Sequence, residues 1–497
     1  MTRALVVLLL LGLGALGCGE VEVACDDPVA CTCGPARALP DGACCPPWTV
    51  AEPGGVCRGR AWTFPAPGQT SGGPAAARVS ASIDSAGRAI FVWEQAGAAP
   101  GSRVVVIGEE GSDGSLALRM PSLALPGFAA APTVAAGAAG DAVVAWWQVT
   151  GASTGHVYRS ERAVDGAWID PASEAEHVSF GEKGHESHLA ASRSGEIVHA
   201  WNQWYDGEHY GIAIQRRAGP DAAWEGAASE KDVVSPPSFF SNAPQVAVNA
   251  RGDAIVSWYQ SPGTDLMTFA SERWGKTGTF SRPGVSDFLS AKGAPVDSDD
   301  VANPKPALAE DGRSVVVWTQ ESGQGGLAVY LASRDASGAW TRPADLSDSL
   351  SRRDSTCRDV HAAFDSLGFL YVVWSEDVGA GHIVKLAQRA PDGAWIHPGD
   401  EPLVLSSKGA VQAITPVIAT DRDGGVIVAW SEQIGELFQV TARRGSAAGF
   451  GLLEVLSPAG EDAFTPYVTL GGPGDRAVVA WIQGDPSVAR VLAATLD

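Results

Sequence analysis

Short apolar runs separated by turn residues recur along most of the chain. Residues 314–318, Ser-Val-Val-Val-Trp, are apolar on both faces and rich in β-branched side chains, as expected of a buried strand. A turn containing Gly312 precedes this run, and a further apolar run at 327–333 follows a polar loop. Glycine supplies the positive φ that closes a tight hairpin. The pattern therefore predicts β-strands joined by turns, and no helical bundle.

The buried run belongs to a repeat. It ends in a tryptophan that recurs at intervals of 51 to 60 residues, at Trp93, Trp146, Trp201, Trp258, Trp318, Trp374, Trp430 and Trp481. Six positions earlier lies a glycine in seven copies, at Gly87, Gly140, Gly195, Gly252, Gly312, Gly368 and Gly424, and Asp475 in the eighth. Each copy has room for about four strands, and a four-stranded sheet repeated at this period is typical of a β-propeller blade. An immunoglobulin-like array needs about 100 residues per unit and does not fit.

The two ends of the repeat region complement each other. The last copy stops after its third strand and lacks the second aromatic residue that ends most other copies. Residues 60–65, Arg-Ala-Trp-Thr-Phe-Pro, match residues 338–343, Gly-Ala-Trp-Thr-Arg-Pro. We expect the segment at Trp62 to supply the outer strand of the last blade and close the ring, which removes exposed edges. The predicted fold is an all-β, eight-bladed β-propeller over residues 59–497, with seven blades as the alternative because the first copy is the most degenerate.

The amino terminus indicates export. Arg3 precedes thirteen apolar residues, 4–16, which are too few for a membrane span of about 20 residues and fit a signal peptide over residues 1–17. Residues 15–19, Ala-Leu-Gly-Cys-Gly, resemble a bacterial lipobox, which implies lipidation of Cys18. The alternative is an ordinary cleaved signal with Cys18 in a disulfide. Gly19 stands where an Asp favours the inner membrane in such lipoproteins, so we expect a Gram-negative outer-membrane lipoprotein or an extracellular protein.

A cysteine-rich segment follows, at residues 18–58. Six cysteines predict three disulfides of undetermined pairing in an exported chain: Cys25, Cys31, Cys33, Cys44, Cys45 and Cys57. The segment has no histidine and no CxxC spacing, so zinc fits poorly. We interpret it as a small disulfide-rich stalk, and we expect Cys357 to be a buried free thiol.

The net charge and the tryptophan content limit the classes of partner that the protein could bind. The chain holds 35 Lys+Arg against 57 Asp+Glu, a net charge of −22, which argues against nucleic-acid binding. Thirteen of the 17 tryptophans belong to the repeat, where large aromatic side chains fill the space between blades. Among the other four, Trp204 is the one whose surroundings indicate a ligand.

Trp204 lies in the loop after the second strand of the third blade, on the face that surrounds the mouth of a propeller channel. Its aromatic rings can stack on a sugar ring and its carboxylates can accept hydrogen bonds from hydroxyl groups. The predicted ligand-binding residues are Trp204, Tyr205, Asp206, Glu208, His209 and Tyr210. The alternative is a loop that packs on itself and clasps the neighbouring blade.

Metal and cofactor signals are weak. His185, His188 and His209 share the same expected face and, with Glu186, contain zinc-ligand types, but an HxxH in a loop is mostly surface histidine, and we predict no metal site. An acidic loop with Asp297, Asp299 and Asp300 could bind calcium weakly, although a solvated loop is the favoured interpretation. No other cofactor is expected.

A Gln or Glu lies two residues beyond each repeat tryptophan, as Gln320 does after Trp318. Its presence in every copy indicates a structural role. We expect these side chains to bond the backbone of the neighbouring blade.

The motifs Asp-x-x-Gly…Val-x-Trp-x-Gln and Arg…Gly-Ala-Trp resemble the tandem-repeat propellers of bacterial surface lipoproteins and, more distantly, sialidase-like propellers. Residues 335–340, Asp-Ala-Ser-Gly-Ala-Trp, stand where sialidases carry an Asp-box, with a different spacing. A sialidase needs three arginines, a Tyr/Glu nucleophile pair and an acid Asp, and its Phe/Tyr-Arg-x-Pro motif is absent here. The repeat motifs themselves confer no activity.

The leading functional hypothesis is therefore a cell-surface binding or scaffold module, without enzymatic activity, for a glycan or a surface protein. The alternative is a sialidase-like glycan-active hydrolase or lyase that uses Asp206, Glu208 or Glu376 as acid or base. A third hypothesis is a purely structural component of the envelope.

Overall fold

The chain divides into two compact parts, Met1–Arg60 and Ala61–Asp497. The structure is a computed structural model that describes residues 48–52, 56–63, 75–111, 114–121, 127–150, 154–237, 239–261, 263, 265–296, 304–472 and 474–496. In the first part, strands β1 (Thr49–Glu52) and β2 (Val56–Gly59) pair antiparallel. The cysteines predicted to carry the lipid or the disulfides lie outside the described residues or, for Cys57, have an undescribed side chain. The anchor and the disulfides stay predictions.

The second part consists of eight repeats of β-strands, which we number units 1 to 8. It begins with β3 (Trp62–Thr63). Units 1 to 4 contain β4 (Ala77–Ile83), β5 (Ala89–Ala96), β6 (Arg103–Glu110) and β7 (Leu116–Arg119); β8 (Phe128–Ala136), β9 (Ala142–Thr150), β10 (Thr154–Arg162) and β11 (Trp168–Ile169); β12 (Gly184–Ala191), β13 (Ile197–Tyr205), β14 (His209–Arg217) and β15 (Trp224–Gly226); and β16 (Ser241–Val248), β17 (Ala254–Gln260) and β18 (Met267–Arg273).

Units 5 to 8 continue the same pattern. They contain β19 (Lys305–Leu308), β20 (Ser314–Glu321), β21 (Leu327–Arg334) and β22 (Trp340–Thr341); β23 (Cys357–Phe364), β24 (Leu370–Asp377), β25 (His382–Arg389), β26 (Trp395–His397) and β27 (Leu403–Val404); β28 (Ala413–Thr420), β29 (Gly425–Ile434), β30 (Leu437–Ser446), β31 (Gly449–Phe450) and β32 (Glu454–Val455); and β33 (Ala463–Gly471), β34 (Arg476–Gln483) and β35 (Arg490–Leu496). Two short 3-10 helices lie at Glu230–Asp232 and Leu346–Asp348. No helix among the described residues is long and apolar enough to cross a membrane.

Consecutive strands within a unit pair antiparallel, except that β27 pairs with β25 and β32 with β30, which gives a series of meander sheets. A single parallel bridge between Arg103 and Phe128 joins the sheets of units 1 and 2. In the last sheet, β3 pairs with β35, with Trp62 opposite Leu496. The first strands of consecutive units contact each other in order from β4 to β33, and β33 contacts β4. The expected all-β fold is confirmed, and it is β-propeller-like.

The turn between the first two strands of each unit has the backbone that the glycine pattern predicts. All seven repeat glycines have positive φ, for example 93° at Gly312. The eighth copy reaches the same left-handed conformation with Asp475, at φ 51°. In unit 7, the Asp421 carboxylate accepts hydrogen bonds from the backbone N–H groups of Asp423 and Gly425, so its oxygen closes the turn.

The core of every unit contains its repeat tryptophan, and all eight are fully buried. Each indole N–H donates to the Gln or Glu two residues later, as Trp318 does to Gln320 at 3.0 Å. The Gln320 amide then donates to the carbonyls of Ala291 and Ala294, in the segment that leads into the unit. The expected partner was the backbone of a neighbouring blade. The side chain instead satisfies the tryptophan of its own unit and binds the connecting segment.

The second aromatic residue packs between units, as predicted. The Trp224 indole donates to Glu161 of the preceding unit at 2.8 Å, and the Arg159 guanidinium lies 3.9 Å from the Trp224 ring centre. Trp62 makes the equivalent contact with Glu454 of unit 7 at 3.1 Å. Trp62 therefore occupies, in the sheet of unit 8, the place that the fourth-strand tryptophan occupies elsewhere.

Cys357 is a buried free thiol, as expected. Burial raises its pKa to about 12.

Candidate functional site

A β-bulge lies near the start of the first strand in the seven units where this position is described. The seven described bulges place a non-glycine residue at φ between 37° and 54°, in the left-handed region. These residues, which we call the bulge row, are Arg78, Ala131, Glu186, Ala243, Asp359, Thr415 and Thr465. The unit 5 equivalent, residue 303, lies outside the described residues. Bulges commonly re-aim side chains next to active sites.

Two residues further along lies a second set, the inner row. Its members, one from each unit, are Ser80, Thr133, His188, Gln245, Lys305, His361, Val417 and Tyr467. The Lys305 ammonium donates to Gln245 Oε1 at 3.1 Å, and the Tyr467 hydroxyl is hydrogen-bonded to Ser80. These two contacts bring inner-row side chains of neighbouring units together.

Units 3 and 4 also contain a cluster of polar side chains. Asn202 Nδ2 lies 3.3 Å from His185 Nδ1 and 3.2 Å from Glu186 Oε2. It also contacts Asn242 Oδ1, and Asn242 Nδ2 donates to the Tyr259 hydroxyl at 3.0 Å. A further donor, the backbone N–H of Ala243, reaches Glu186 Oε2 at 3.2 Å. These contacts fix the Glu186 carboxylate at a bulge. We call His185, Glu186, Asn202, Asn242 and Tyr259 the mouth cluster.

Aromatic rings line one side of the mouth cluster. Starting at Phe128, successive ring centres lie 6.3 Å apart to Trp147, 6.3 Å to His185, 4.2 Å to Tyr210 and 4.9 Å to Trp204. Most contacts are edge-on, as aromatic pairs prefer. The indole N–H groups of Trp147 and Trp204 are buried without a partner among the described residues. We call these five side chains the aromatic row.

The histidines of the site are held neutral. Burial lowers the pKa of His185 to about 4. Burial, and then the charge of Lys305, lowers the pKa of both His188 and His361 to about 3. All three side chains are half-buried, so they keep some contact with solvent at the centre while protein atoms surround them. At neutral pH their rings donate and accept hydrogen bonds without carrying charge.

Two ionisable groups, Lys305 and Asp359, have pKa values shifted in the direction that favours their uncharged forms. Burial lowers the pKa of Lys305 to about 8, and the charge of Asp359 opposes this effect. Burial raises the pKa of Asp359, and the N–H of Thr415 and the charges of Arg358, Lys305 and His382 oppose it. Displaced pKa values in a central cluster are typical of functional sites.

The structure divides the six residues predicted from sequence to bind a ligand. Trp204 and Tyr210 face each other across strands β13 and β14 and contact the mouth cluster through His185. Tyr205 is buried beside Gly211.

The other three of the six form the hairpin tip. The Asp206 carboxylate accepts hydrogen bonds from the N–H groups of Glu208 and His209 and contacts the His209 ring, so it closes its own turn. Asp206 and Glu208 are exposed at this tip.

The further alternatives weighed from sequence are also placed. No group of three or more His, Cys, Asp or Glu that could hold a metal ion occurs among the described residues. Asp297, Asp299 and Asp300 lie outside them. The Glu376 carboxylate accepts from Trp374 at 3.0 Å and from the Lys385 ammonium at 2.7 Å, which gives it a structural role.

Sequence reasoning missed Lys305, Asp359 and His361, and it treated Glu186 only as a metal ligand. A signal existed. Proline follows the described bulge residue in four units, at Pro132, Pro244, Pro416 and Pro466, and Pro304 stands at the equivalent sequence position of unit 5. The three units without this proline carry a charged bulge residue, Arg78, Glu186 or Asp359. Aligning the copies at their first strands would have separated these units from the rest.

No protein-family model and no curated protein matches the chain. Its fold is similar to solved structures of glycan-degrading enzymes. One is the polysaccharide lyase Uly1, with a TM-score of 0.44 and 11% identity over 72% of this chain and 88% of that one. An ulvan lyase bound to -[GlcA(1-4)Rha3S]- gives 0.42 and 11% over 70% and 89%, and an α-L-arabinanase of Penicillium chrysogenum with arabinobiose gives 0.36 and 13% over 63% and 93%.

These similarities correct the leading hypothesis drawn from sequence. A binding or scaffold module without enzymatic activity is contradicted, because the similar structures are lyases and hydrolases.

Proposed function

We propose that this protein cleaves a glycan at the mouth cluster, with Glu186 as the acid or base of the reaction. One observation carries the proposal. The Glu186 carboxylate is fixed by Asn202 and by the Ala243 N–H, next to the neutral histidine that forms the middle of the row of aromatic rings.

Each component has a role in sugar chemistry. The aromatic row offers apolar surface to the C–H faces of sugar rings. The half-buried Glu186 carboxylate and His185 ring can form hydrogen bonds with sugar hydroxyl groups. Binding therefore combines an apolar platform with a few oriented polar groups, as in most ligand sites.

Acid–base chemistry needs one group that gives a proton and one that takes it. Glu186 is held by two donors, an environment that favours a carboxylate. Burial raises the pKa of Asp359, so this side chain keeps its proton more readily. Two carboxyl groups in different environments support hydrolysis, whereas neutral His185 beside the phenol of Tyr210 supports elimination by a lyase. The two reactions give different products.

The test is product formation. The full chain is incubated with a panel of neutral and acidic polysaccharides, and reducing ends and unsaturated uronate products are measured separately. We expect cleavage of at least one glycan, and a loss of rate of about 100-fold or more in Glu186→Gln, since positioned acid–base groups contribute about 10²–10⁴-fold.

Glu208→Gln is the matched control. It makes the same chemical change at the exposed hairpin tip of unit 3 and should leave the rate unchanged. Equal rates in the two variants, or no cleavage of any glycan by the parent chain, would contradict the proposal.

The finer architecture belongs to the same proposal. The contacts of β33 with β4, and of Trp62 with Glu454, support eight blades closed into a ring by β3. An exported, lipid-anchored protein on the outer membrane would meet polysaccharides outside the cell. Lipidation of Cys18, this location and a surface-protein partner stay predictions from sequence.

A further inference from the structure

Lys305 is the least neutralised charge at the centre of the ring. Its ammonium has three N–H donors, and its hydrogen bond among the described residues goes to the neutral oxygen of Gln245. No described carboxylate lies within salt-bridge distance of it. Asp359, which favours its charge, acts only electrostatically. The other two donors have no acceptor among the described residues, although a buried charge is normally paired.

The neighbouring side chains of the inner row also present donors. His188 Nδ1 accepts the backbone N–H of Val246 at 3.3 Å, so the neutral ring carries its hydrogen on Nε2. His361 has no hydrogen-bond partner among the described residues, and its neutral ring carries one N–H. The Gln245 side chain that binds Lys305 immediately precedes Val246, whose N–H binds His188, and strand β19 of Lys305 contacts strand β23 of His361. An ammonium and two imidazole N–H groups thus occupy the same part of the inner row.

We propose that Lys305, His188 and His361 form an anion subsite that binds the carboxylate or sulfate ester of an acidic sugar. The proposal rests on the proposed function and adds its substrate class. Glu186 precedes His188 by two residues in β12, so the anion would lie one layer below the carboxylate that performs the chemistry. Charge-assisted hydrogen bonds from Lys305 would then select acidic glycans over neutral ones.

The experiment measures binding instead of turnover. Titration calorimetry on the full chain carrying Glu186→Gln compares uronate oligosaccharides with the same oligosaccharides after carboxyl reduction, and with sulfated and desulfated pairs. We expect at least about tenfold tighter binding of the acidic member, equal to about 1.4 kcal/mol. Adding Lys305→Met should remove this preference, and Lys305→Arg should retain part of it.

Val417→Met is the matched control, because it places the same side chain at an inner-row position, in unit 7, that contributes no group to the subsite. It should leave the preference intact. Circular dichroism and thermal unfolding establish that each variant is folded.

A titration with inorganic sulfate distinguishes binding of a free anion from binding of an anionic group on a sugar. If sulfate binds through Lys305 and the acidic glycans show no preference, the site serves a free anion and the sugar subsite is wrong. The subsite is also wrong if the preference survives Lys305→Met, or if no acidic glycan binds. If the preference holds and depends on Lys305 but no glycan is cleaved by the chain with Glu186, the subsite stands and the proposed cleavage fails.

Discussion

The two halves of the inner row share one backbone and differ in chemistry. Units 3 to 6 contribute His188, Gln245, Lys305 and His361, whereas units 7, 8, 1 and 2 contribute Val417, Tyr467, Ser80 and Thr133. We call these the basic half and the hydroxyl half. Both halves carry the same bulges and the same buried tryptophans.

Charged side chains beside the two halves also differ in whether an opposite charge lies within salt-bridge distance. In unit 1, the buried Glu94 carboxylate accepts the N–H of Ala131 at 2.7 Å and lies within 3.8 Å of Arg78 and 3.4 Å of Arg103. Lys305 has no such counter-charge within salt-bridge distance among the described residues. Repeated elements therefore supply the scaffold, and the chemistry lies where the repeat is broken.

Lowering the pH should reveal the largest difference between the two halves, because it should lower the free energy of unfolding through the histidines of the basic half. His188 and His361 have pKa values of about 3 in the folded protein, from a usual 6.5. Between these values the unfolded chain binds more protons, so the free energy of unfolding falls as pH falls. Between about pH 7.5 and about pH 5, the double variant His188→Gln/His361→Gln should lose about 2–4 kcal/mol less stability than the parent chain.

Urea unfolding at the two pH values measures this difference. The hydroxyl-half variant Thr133→Val/Tyr467→Phe should keep the acid sensitivity of the parent. An equal acid response of all three proteins would show that the histidines are not neutral when folded.

The Trp–Gln pairs should respond alike in both halves. Gln320→Leu in unit 5 and Gln483→Leu in unit 8 each leave a buried indole N–H and backbone carbonyls without their partner. We expect each to lower the free energy of unfolding by about 1–3 kcal/mol, the usual cost of unsatisfied buried polar groups. Chemical denaturation checks both, and a large cost in one unit alone would contradict a common scaffold.

Removing the Lys305 charge should stabilise the fold. The pKa of Lys305 is lowered from 10.5 to about 8 by burial, so below pH 8 the folded protein pays for a buried charge. Lys305→Met should raise the free energy of unfolding by about 1 kcal/mol near pH 7, less than the full shift because the bond to Gln245 is lost.

The sign of the pH dependence provides the check. From pH 8 to 10.5 the unfolded chain holds the Lys305 proton more tightly than the folded one, so the parent gains stability and the advantage of Lys305→Met shrinks. Val417→Met in the hydroxyl half should show no such pH-dependent gap. A gap independent of pH would indicate a packing effect.

The aromatic row should have the smallest effect. Trp204→Ala removes one ring of the row and should weaken glycan binding about 2- to 10-fold, the usual range for one aromatic contact. Phe240→Ala serves as control, because this exposed ring contacts His209 at the hairpin tip. Calorimetry with the best-bound oligosaccharide measures both, and equal losses would move the binding surface to the tip.

Much of the fold was predictable because it depends on local rules repeated eight times. Positive φ at Gly312 follows from turn chemistry, and the burial of Trp318 from an apolar run. The repeat even explains Asp475, whose left-handed backbone a single copy would not have revealed.

The site was less predictable because it depends on contacts distant in sequence. Asn202 meets Asn242 across two units, and the Lys305 ammonium of unit 5 binds Gln245 of unit 4. Trp204 and Tyr210, which stay predicted ligand contacts, could be singled out because an aromatic cluster is visible in the local sequence. Asp206 was assigned to a ligand, but its carboxylate has enough N–H donors in its own turn.

The bulges have a consequence for how such a protein could be redesigned. Their geometry recurs whether the occupant is Ala131, Glu186 or Thr465, so the backbone does not depend on the residue it presents. Exchanging inner-row side chains between units would then move the basic half to other units while the sheets stay unchanged. A polysaccharide would bind in a correspondingly rotated orientation and contact the same types of side chain.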